Sequence, residues 1–346
     1  MSSSTLTPPG GAAPAGQQVH TARERGRVLP FPVTGQEIVL LVVIAALWVA
    51  LALATPAFLT RGSIVPLLVA MAPVALIGIG MTVVIITGGI DVSVAGIVMV
   101  CAVVVARAMV GSGIALPVAV VLSVAIGGVL GLVNGVLIAY GRVHAIIITF
   151  GTANLFEFLG LRLFGGTTVD NIPGTLAFFG RGESGRTLGI PHSFLIMLLI
   201  AAAAWYYLRH TPSGRHMYAI GGDADAARLA GVKVQRRVVS AYVLTGLLTG
   251  LAACFVIARG TSTLAPNVGA GIELAAIAAV VIGGTSIMGG RGSVLGTVLG
   301  ALLVQTVTSG VTQLGWRSQL SALFIGIFIL IAVGADLLRQ RARSTT

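Results

Sequence analysis

Almost the whole chain is divided into apolar runs of bilayer-crossing length, and this property removes most folds from consideration. A transmembrane helix needs about 20 predominantly apolar residues to cross a hydrocarbon core of about 30 Å. Runs that reach or approach this length cover Ile38–Ala54, Ile64–Ile86, Val92–Val110, Ile114–Ala139, Ile146–Phe164, Phe194–Leu208, Val238–Ala258, Leu274–Met288, Val294–Thr308 and Leu320–Leu338. With 56% of residues hydrophobic and 9% charged, a soluble domain would have too little polar surface. The 47 glycines suit close packing between membrane helices, and the alternating segments of a β-barrel are absent. The expected fold is therefore an all-α polytopic transmembrane helical bundle of about ten spans. Its Gly-dense junctions at 88–96 and 283–296 are either turns or broken, re-entrant helices.

The runs also set the domain organisation. Residues 1–35, rich in Ser, Pro, Gly and Ala, read as a disordered cytoplasmic tail, 36–338 as the transmembrane domain, and 339–346 as a short cytoplasmic tail. Ile38–Ala54 lies too far in for the core of a signal peptide and is expected to be an uncleaved first span. With both termini inside, fourteen of the 21 Lys and Arg fall on the cytoplasmic side, as the positive-inside rule requires. The net charge of +11 is explained by that bias, so no nucleic-acid partner is implied and the lipid bilayer is the main one.

One polar island interrupts the apolar pattern, from Arg209 to Arg237, and it holds six of the 21 basic residues. Its centre, Tyr218-Ala-Ile-Gly-Gly-Asp-Ala-Asp-Ala-Ala-Arg-Leu-Ala-Gly-Val232, reads as a turn, a short helix and a stop. Asp223 suits an N-cap, Ala224–Ala230 are mostly good helix formers, and Gly231 suits a left-handed C′ position. Two readings stand side by side. Ala226, Ala227 and Leu229, rimmed by Asp223, Asp225 and Arg228, fit a helix laid into a partner's groove; alternatively the island is a connector whose charges keep it out of the membrane.

Polar residues inside or bordering the runs are the candidates for a solute pathway. A charged side chain at the centre of a span costs about 2.5–3.5 kcal/mol on insertion scales, so it faces protein or a water-filled cavity. Asp91, Glu157 and Glu273 are such carboxylates, and Asn134, Asn154, Thr285, Ser286 and Gln305 add hydrogen-bonding groups suited to hydroxyls. Asp91 before Val92 and Glu273 before Leu274 equally suit the first turn of a helix. Glu157, with Arg162 five residues on, suits either a cavity or a structural ion pair. No metal site or disulfide is expected: Cys101 and Cys254 lie inside apolar runs and the five His lack ligand spacing. No catalytic constellation is found either, because the sequence has no GxxxxGK[ST], GxSxG or HExxH. Any ATP that drives this chain must be bound by another subunit.

Several motifs resemble one family. Asp225-Ala226-Ala227, three residues and Gly231 are similar to the EAA loop of ABC importer permeases, with Asp in place of Glu. The stretch from Tyr218 to Val232 more closely resembles the cytoplasmic loop of the ribose/xylose/galactose type of these permeases. GGIDVSVAG from Gly88 resembles that family's GGIDLSVG, GLVNGVLIAYGRV from Gly131 its fourth span, and ELAAIAAVVIGGTSIMGGRGSVLGTVLGA from Glu273 its most recognisable block. The likeness runs over about residues 38–336. It departs at Glu157-Phe158, where relatives carry Arg-Gly, and at Ser309-Gly310, where they carry Asn-Gly.

The resemblance implies a permease subunit that works with a second copy or a paralogue. It also implies two ABC ATPase subunits that bind ATP and Mg²⁺, and an extracytoplasmic solute-binding protein above; this chain itself carries no cofactor. A monosaccharide is the implied solute, with other polar solutes such as nucleosides or autoinducer sugars carried by relatives. Tyr218, Gly221, Asp223, Asp225, Ala226, Ala227, Arg228, Leu229 and Gly231 would form the ATPase-coupling loop, and Asp91, Asn134, Asn154, Glu157, Glu273, Thr285 and Ser286 the pathway. The rival reading is an ion-coupled secondary transporter using Asp91 and Glu157. An intramembrane enzyme would need a converging catalytic set, and none is found.

Overall fold

The computed structural model describes residues 35–344 apart from 142, 181 and 261. Twelve α-helices follow in order: α1 (Gly35–Ala54), α2 (Arg61–Ile86), α3 (Val94–Ser112), α4 (Leu116–Gly141), α5 (Ala145–Phe164), α6 (His192–His210), α7 (Pro212–Gly222), α8 (Ala224–Leu229), α9 (Val234–Arg259), α10 (Ile272–Ile282), α11 (Val294–Gln313) and α12 (Gln319–Ser344). The connection between α5 and α6 holds two 3₁₀ turns and a two-residue hairpin, β1 (Arg186–Thr187) and β2 (Ile190–Pro191). Eight helices are long and apolar enough to cross a membrane, and two shorter apolar helices, α10 and the part of α12 up to Gly334, complete ten segments in the expected order. The tail expected over 1–35 lies, but for Gly35, outside the described residues. The last helix continues to Ser344, past the boundary expected at 338.

At the centre stands α2, in which every residue from Met71 to Ile86 is buried. A helix enclosed on all sides has no polar stripe, which is why its sequence shows no periodicity. Around it, α4 presents the reverse of a soluble pattern. Its buried positions are the small or polar Ala119, Ser123, Gly127, Gly128, Gly131, Asn134 and Gly135, while Val118, Val121, Val129, Leu132, Val136 and Leu137 are exposed. Lipid tails are as apolar as leucine, so in a membrane large side chains gain nothing by turning inward, and small residues that let backbones approach occupy the interface.

Those small residues meet α9 backbone to backbone. A Cβ on Gly131 would collide with the Tyr242 carbonyl and come within 3.0 Å of Gly246 Cα, and one on Gly250 would lie 2.9 Å from the Ser123 carbonyl carbon. Ser123 Oγ donates to the Gly250 carbonyl at 2.6 Å across the same seam. A second seam joins α10 to α11, where Cβ atoms on Gly296 and Gly300 would strike the carbonyls of Gly283 and Ala279. The Thr82–Thr297 hydroxyl pair, 2.6 Å apart, ties α2 to α11.

With only 11 residues, α10 is about 16 Å long at 1.5 Å per residue and cannot cross a core of about 30 Å. It breaks at Gly283, and a non-helical stretch runs to Ser293. Of the two readings for the 283–296 junction, the structure has the broken helix: the run over Leu274–Met288 divides into a half-helix and a partly buried irregular segment, because the glycines allow the backbone to leave the helix. Gly289 and Gly290, at φ 87° and 72°, lie in the left-handed region that side chains disfavour.

The two ends of the bundle differ. One carries α7, α8, the break after α10 and the start of α1, where Gln36 Nε2 donates to the Ile282 carbonyl at 3.4 Å and Ser293 Oγ donates to Glu37. At the other end Arg107 donates to the Phe164 carbonyl at 2.7 Å, and Val169 exchanges backbone bonds with Leu264. Arg209, Arg215, Arg228, Lys233, Arg236, Arg237 and Arg291 lie at the α7–α8 end. Arg23, Arg25, Arg27, Arg142, Arg339, Arg341 and Arg343, which the sequence assigns to the same side, have side chains outside the described ones.

Leucine at Gly131 should wedge α4 from α9. Overpacking costs about 1–3 kcal/mol, and here the colliding atoms are backbone that cannot rotate aside, so Gly131→Leu should lower the thermal transition of the detergent-purified protein by several degrees. Gly151→Leu, where a Cβ meets nothing within 4 Å, should melt like the wild type. Equal melting of the two variants would show that the seam is not a stability determinant.

Candidate functional site

The polar island folds into two helices where the sequence showed one. Thr211 caps α7, its Oγ1 accepting from Gly214 N at 3.0 Å with Pro212 at the first helical position. This Thr-Pro start is an N-terminal signal in its own right. Asp223 then ends α7 and begins α8, Oδ1 accepting from the backbone N–H of Asp225 at 2.9 Å and Ala226 at 3.0 Å. After Ala230, Gly231 takes φ 84°. Its N–H donates to the Arg228 carbonyl and that of Val232 to Ala227, both at 3.0 Å, which is the Schellman closure.

Packing divides the residues of α8. Ala227 is buried against Ile220 and Val234, so it holds the helix down and does not face outward. Ala226 is exposed and Leu229 is 92% exposed, with Arg228 and Asp225 paired at 2.6 Å beside them. The outward surface of α8 is thus one large apolar side chain set in a polar rim.

Beneath α7 lie both glycine-rich junctions. A Cβ on Gly221 would strike the Ile86 carbonyl at the end of α2 and the Gly290 N–H, and Gly290 N donates to that same carbonyl at 2.9 Å. Tyr218 Oη donates to the Gly292 carbonyl at 3.1 Å, and burial raises the pKa of this phenol against the opposing effect of Arg209. Arg237 of α9 donates to Ser213 Oγ at 2.7 Å, closing the group from the other side.

The seven polar candidates separate into three places. Asp91 and Asn134 form a buried network: Asp91 Oδ1 accepts from Ser93 N at 3.0 Å and Ser93 Oγ at 2.6 Å, and Asn134 Nδ2 donates to Ser93 Oγ at 2.6 Å. The N-cap of α3 is Ser93, so Asp91 does not cap that helix as expected and instead closes the turn before it. Asp91 Oδ2, Asn134 Oδ1 and Tyr242 Oη have no partner there. Thr285 and Ser286 are buried in the irregular segment next to α7, where Ser286 N donates to the Arg291 carbonyl at 3.0 Å.

Asn154 and Glu157 are exposed on α5, and Glu273, half-buried in the first turn of α10, lies within electrostatic reach of Glu157. Among the described residues Glu157 and Arg162 form no ion pair. Cys101 and Cys254 are buried free thiols. Among the described residues no group of three His, Cys, Asp or Glu could hold a metal.

Comparison with known proteins adds the following. Residues 63–333 match the family described as branched-chain amino acid transport system / permease component. The chain is 38% identical over 287 residues to the ribose import permease protein RbsC of Escherichia coli, covering 83% of this chain and 89% of that one. It is 40% identical over 283 residues to the ribose import permease protein RbsC of Bacillus subtilis, covering 81% and 86%. To the fructose import permease protein FrcC of Rhizobium meliloti it is 34% identical over 271 residues, covering 77% and 75%. No solved structure matches the chain.

The Asp91 network yields a clear expectation. In Asp91→Asn the Oδ1 acceptor is kept and an N–H replaces the partnerless Oδ2 beside acceptors that lack donors, so stability and transport should equal or exceed those of the wild type. Asp91→Ala leaves the Ser93 N–H buried without an acceptor, at about 1–3 kcal/mol, and should lower the melting temperature by several degrees. Unchanged melting in both variants with altered solute selectivity would place Asp91 in the pathway instead.

Proposed function

Because the chain belongs to the branched-chain amino acid transport system / permease component family, we propose that it forms the translocation pathway for a monosaccharide or similar small polar solute and docks a separate ATPase through α8. As a member it is the transmembrane permease component of an ABC importer and carries no ATPase domain. Such a component works with ATPase subunits and a solute-binding protein, and it is a multi-pass membrane protein similar to bacterial inner-membrane permeases. The solute class rests on the ribose and fructose named for its relatives. ATP and Mg²⁺ belong to the partner.

The observation that carries the docking assignment is Leu229. A leucine 92% exposed on a helix that is otherwise capped, closed and packed is a preformed apolar peg, and burying it in a groove is worth about 1.5–3 kcal/mol. Its rim of Asp225 and Arg228 supplies polar partners, and the concentration of basic residues at this end supports a cytoplasmic position for α7, α8 and both termini. The solute-binding protein would then meet the opposite end, with its connection between α5 and α6.

The strip of Asn154, Glu157 and Glu273 supports a pathway on the outside of the single chain. Carboxylates facing lipid are costly, and a second copy or a paralogue packed against α5 and α10 would cover them and turn the strip into the wall of a water-filled route. Asn154 can donate and accept hydrogen bonds and the two carboxylates can accept them, as sugar hydroxyls require.

Two measurements test these assignments. Leu229→Asp should reduce co-purification of the ATPase subunit by roughly tenfold or more with normal membrane expression, whereas wild-type co-purification would make α8 a simple connector. Glu157→Gln should change the relative uptake of a sugar panel while the assembled complex keeps its yield; unaltered selectivity would remove Glu157 from the pathway.

A further inference from the structure

Resting on the docking assignment above, the geometry raises the question of how a push on α8 enters the bundle. The buried side of α8, Ala227, packs on Ile220 of α7 and on Val234 at the start of α9. Contact with the glycine-rich junctions is made by α7. Its Gly221 lies directly on the last carbonyl of α2 and on the Gly290 N–H, and its Tyr218 is bonded to the Gly292 carbonyl.

We infer that the irregular segment Gly283–Ser293, clasped between α7 and the start of α1, is the element that carries movement of the coupling helices to the pathway, with Tyr218 and Gly221 as its positioning residues. Three contacts hold the segment and a fourth holds the end of α10 just before it. Gly290 N is bonded to Ile86 O at 2.9 Å and Tyr218 Oη to Gly292 O at 3.1 Å, while Gln36 Nε2 reaches Ile282 O and Ser293 Oγ reaches Glu37 on the far side. Within the segment Ser286 N and Gly289 N close a tight loop onto Arg291 O and Ser286 O, each at 3.0 Å. It therefore moves as a unit with α7, not as a slack tether.

What the segment drives is α10. This half-helix of 11 residues carries Glu273 in its first turn, within electrostatic reach of Glu157 of α5, so displacement at its C-terminus would change the spacing of the two carboxylates in the proposed pathway. A continuous span could not pivot in this way, because its ends would be fixed at both surfaces. The direct contact of Gly221 with α2 would deliver the same displacement to the central helix.

Tyr218→Phe is the decisive variant, since it removes only the hydroxyl. In the full complex of permease, ATPase and binding protein, we expect ATPase co-purification and basal ATP hydrolysis to be retained, because the Tyr218 hydroxyl is turned inward onto Gly292, and the melting temperature to fall by no more than a few degrees. Solute-stimulated hydrolysis and uptake should fall roughly fivefold, the effect of one net hydrogen bond. Backbone amide exchange over residues 286–292 should accelerate in the same variant. Gly221→Ala, which forces α7 off Ile86 and Gly290, should uncouple more completely wherever the complex assembles. Wild-type stimulation and uptake by Tyr218→Phe would overturn the inference and leave docking through α8 intact. Loss of the ATPase from Tyr218→Phe would also overturn it, by making Tyr218 part of the docking surface. Retention of the ATPase by Leu229→Asp would instead sink the docking assignment itself.

Discussion

The contact of α4 with α9, backbone against backbone, is the constraint on which the rest of the bundle depends. Within hydrocarbon there is no hydrophobic gain from gathering large side chains inward, so cohesion comes from dispersion and hydrogen bonds between surfaces that approach closely. Gly127, Gly131 and Gly135 on one helix and Gly246 and Gly250 on the other remove every side chain that would hold the axes apart. Ser123 is held at this interface by donating to the Gly250 carbonyl. With the small residues used inside, the valines and leucines of α4 remain to face lipid, and α2 can stand surrounded on all sides.

The same medium decides where irregular backbone is allowed. Unsatisfied N–H and C=O groups cannot face lipid, so non-helical chain at membrane depth must be enclosed by protein. Both breaks in this bundle are covered in part, with Asp91, Ser93, Thr285 and Ser286 buried and Gly88, Ile287, Met288 and Arg291 exposed. The connection from Thr87 to Ser93 is held by the Asp91–Ser93–Asn134 network and by Thr149 Oγ1, which donates to the Ile90 carbonyl at 3.0 Å. The segment after α10 is roofed by α7 and bordered by the start of α1. Enclosing these breaks at one end of the bundle puts its most deformable backbone directly beneath the helices that a partner would push.

The chain belongs to a family of transmembrane permease components that have no ATPase domain. What such a subunit must supply is a route with two states and a handle by which another protein selects between them. A ligand or partner shifts such an equilibrium only by the difference in its contacts with the two states. In the coupling we propose, the half-helix α10, with Glu273 in its first turn and Gly283 at its C-terminal break, would be the element that differs between the two states.

Class, span order and the two caps of α8 were legible in the residues, because each is a local or near-local property. Apolar run length is set by bilayer thickness, and Asp223 and Gly231 act within one helical turn, so the cap and the left-handed stop could be read directly. Thr211-Pro212 carried an equally local signal for α7 that the charge of the surrounding island masked. Other features depended on which surfaces meet. Only the tertiary structure shows that Ala227 faces inward and Leu229 outward, since a six-residue helix of mixed composition has no face until Ile220 and Val234 pack on it. It likewise separates Asp91 and Asn134, enclosed in a network, from Glu157, left exposed on α5, although all three are polar residues in or beside apolar runs. Run length and capping follow from the properties of neighbouring residues, whereas burial is decided by contacts between helices far apart in the chain.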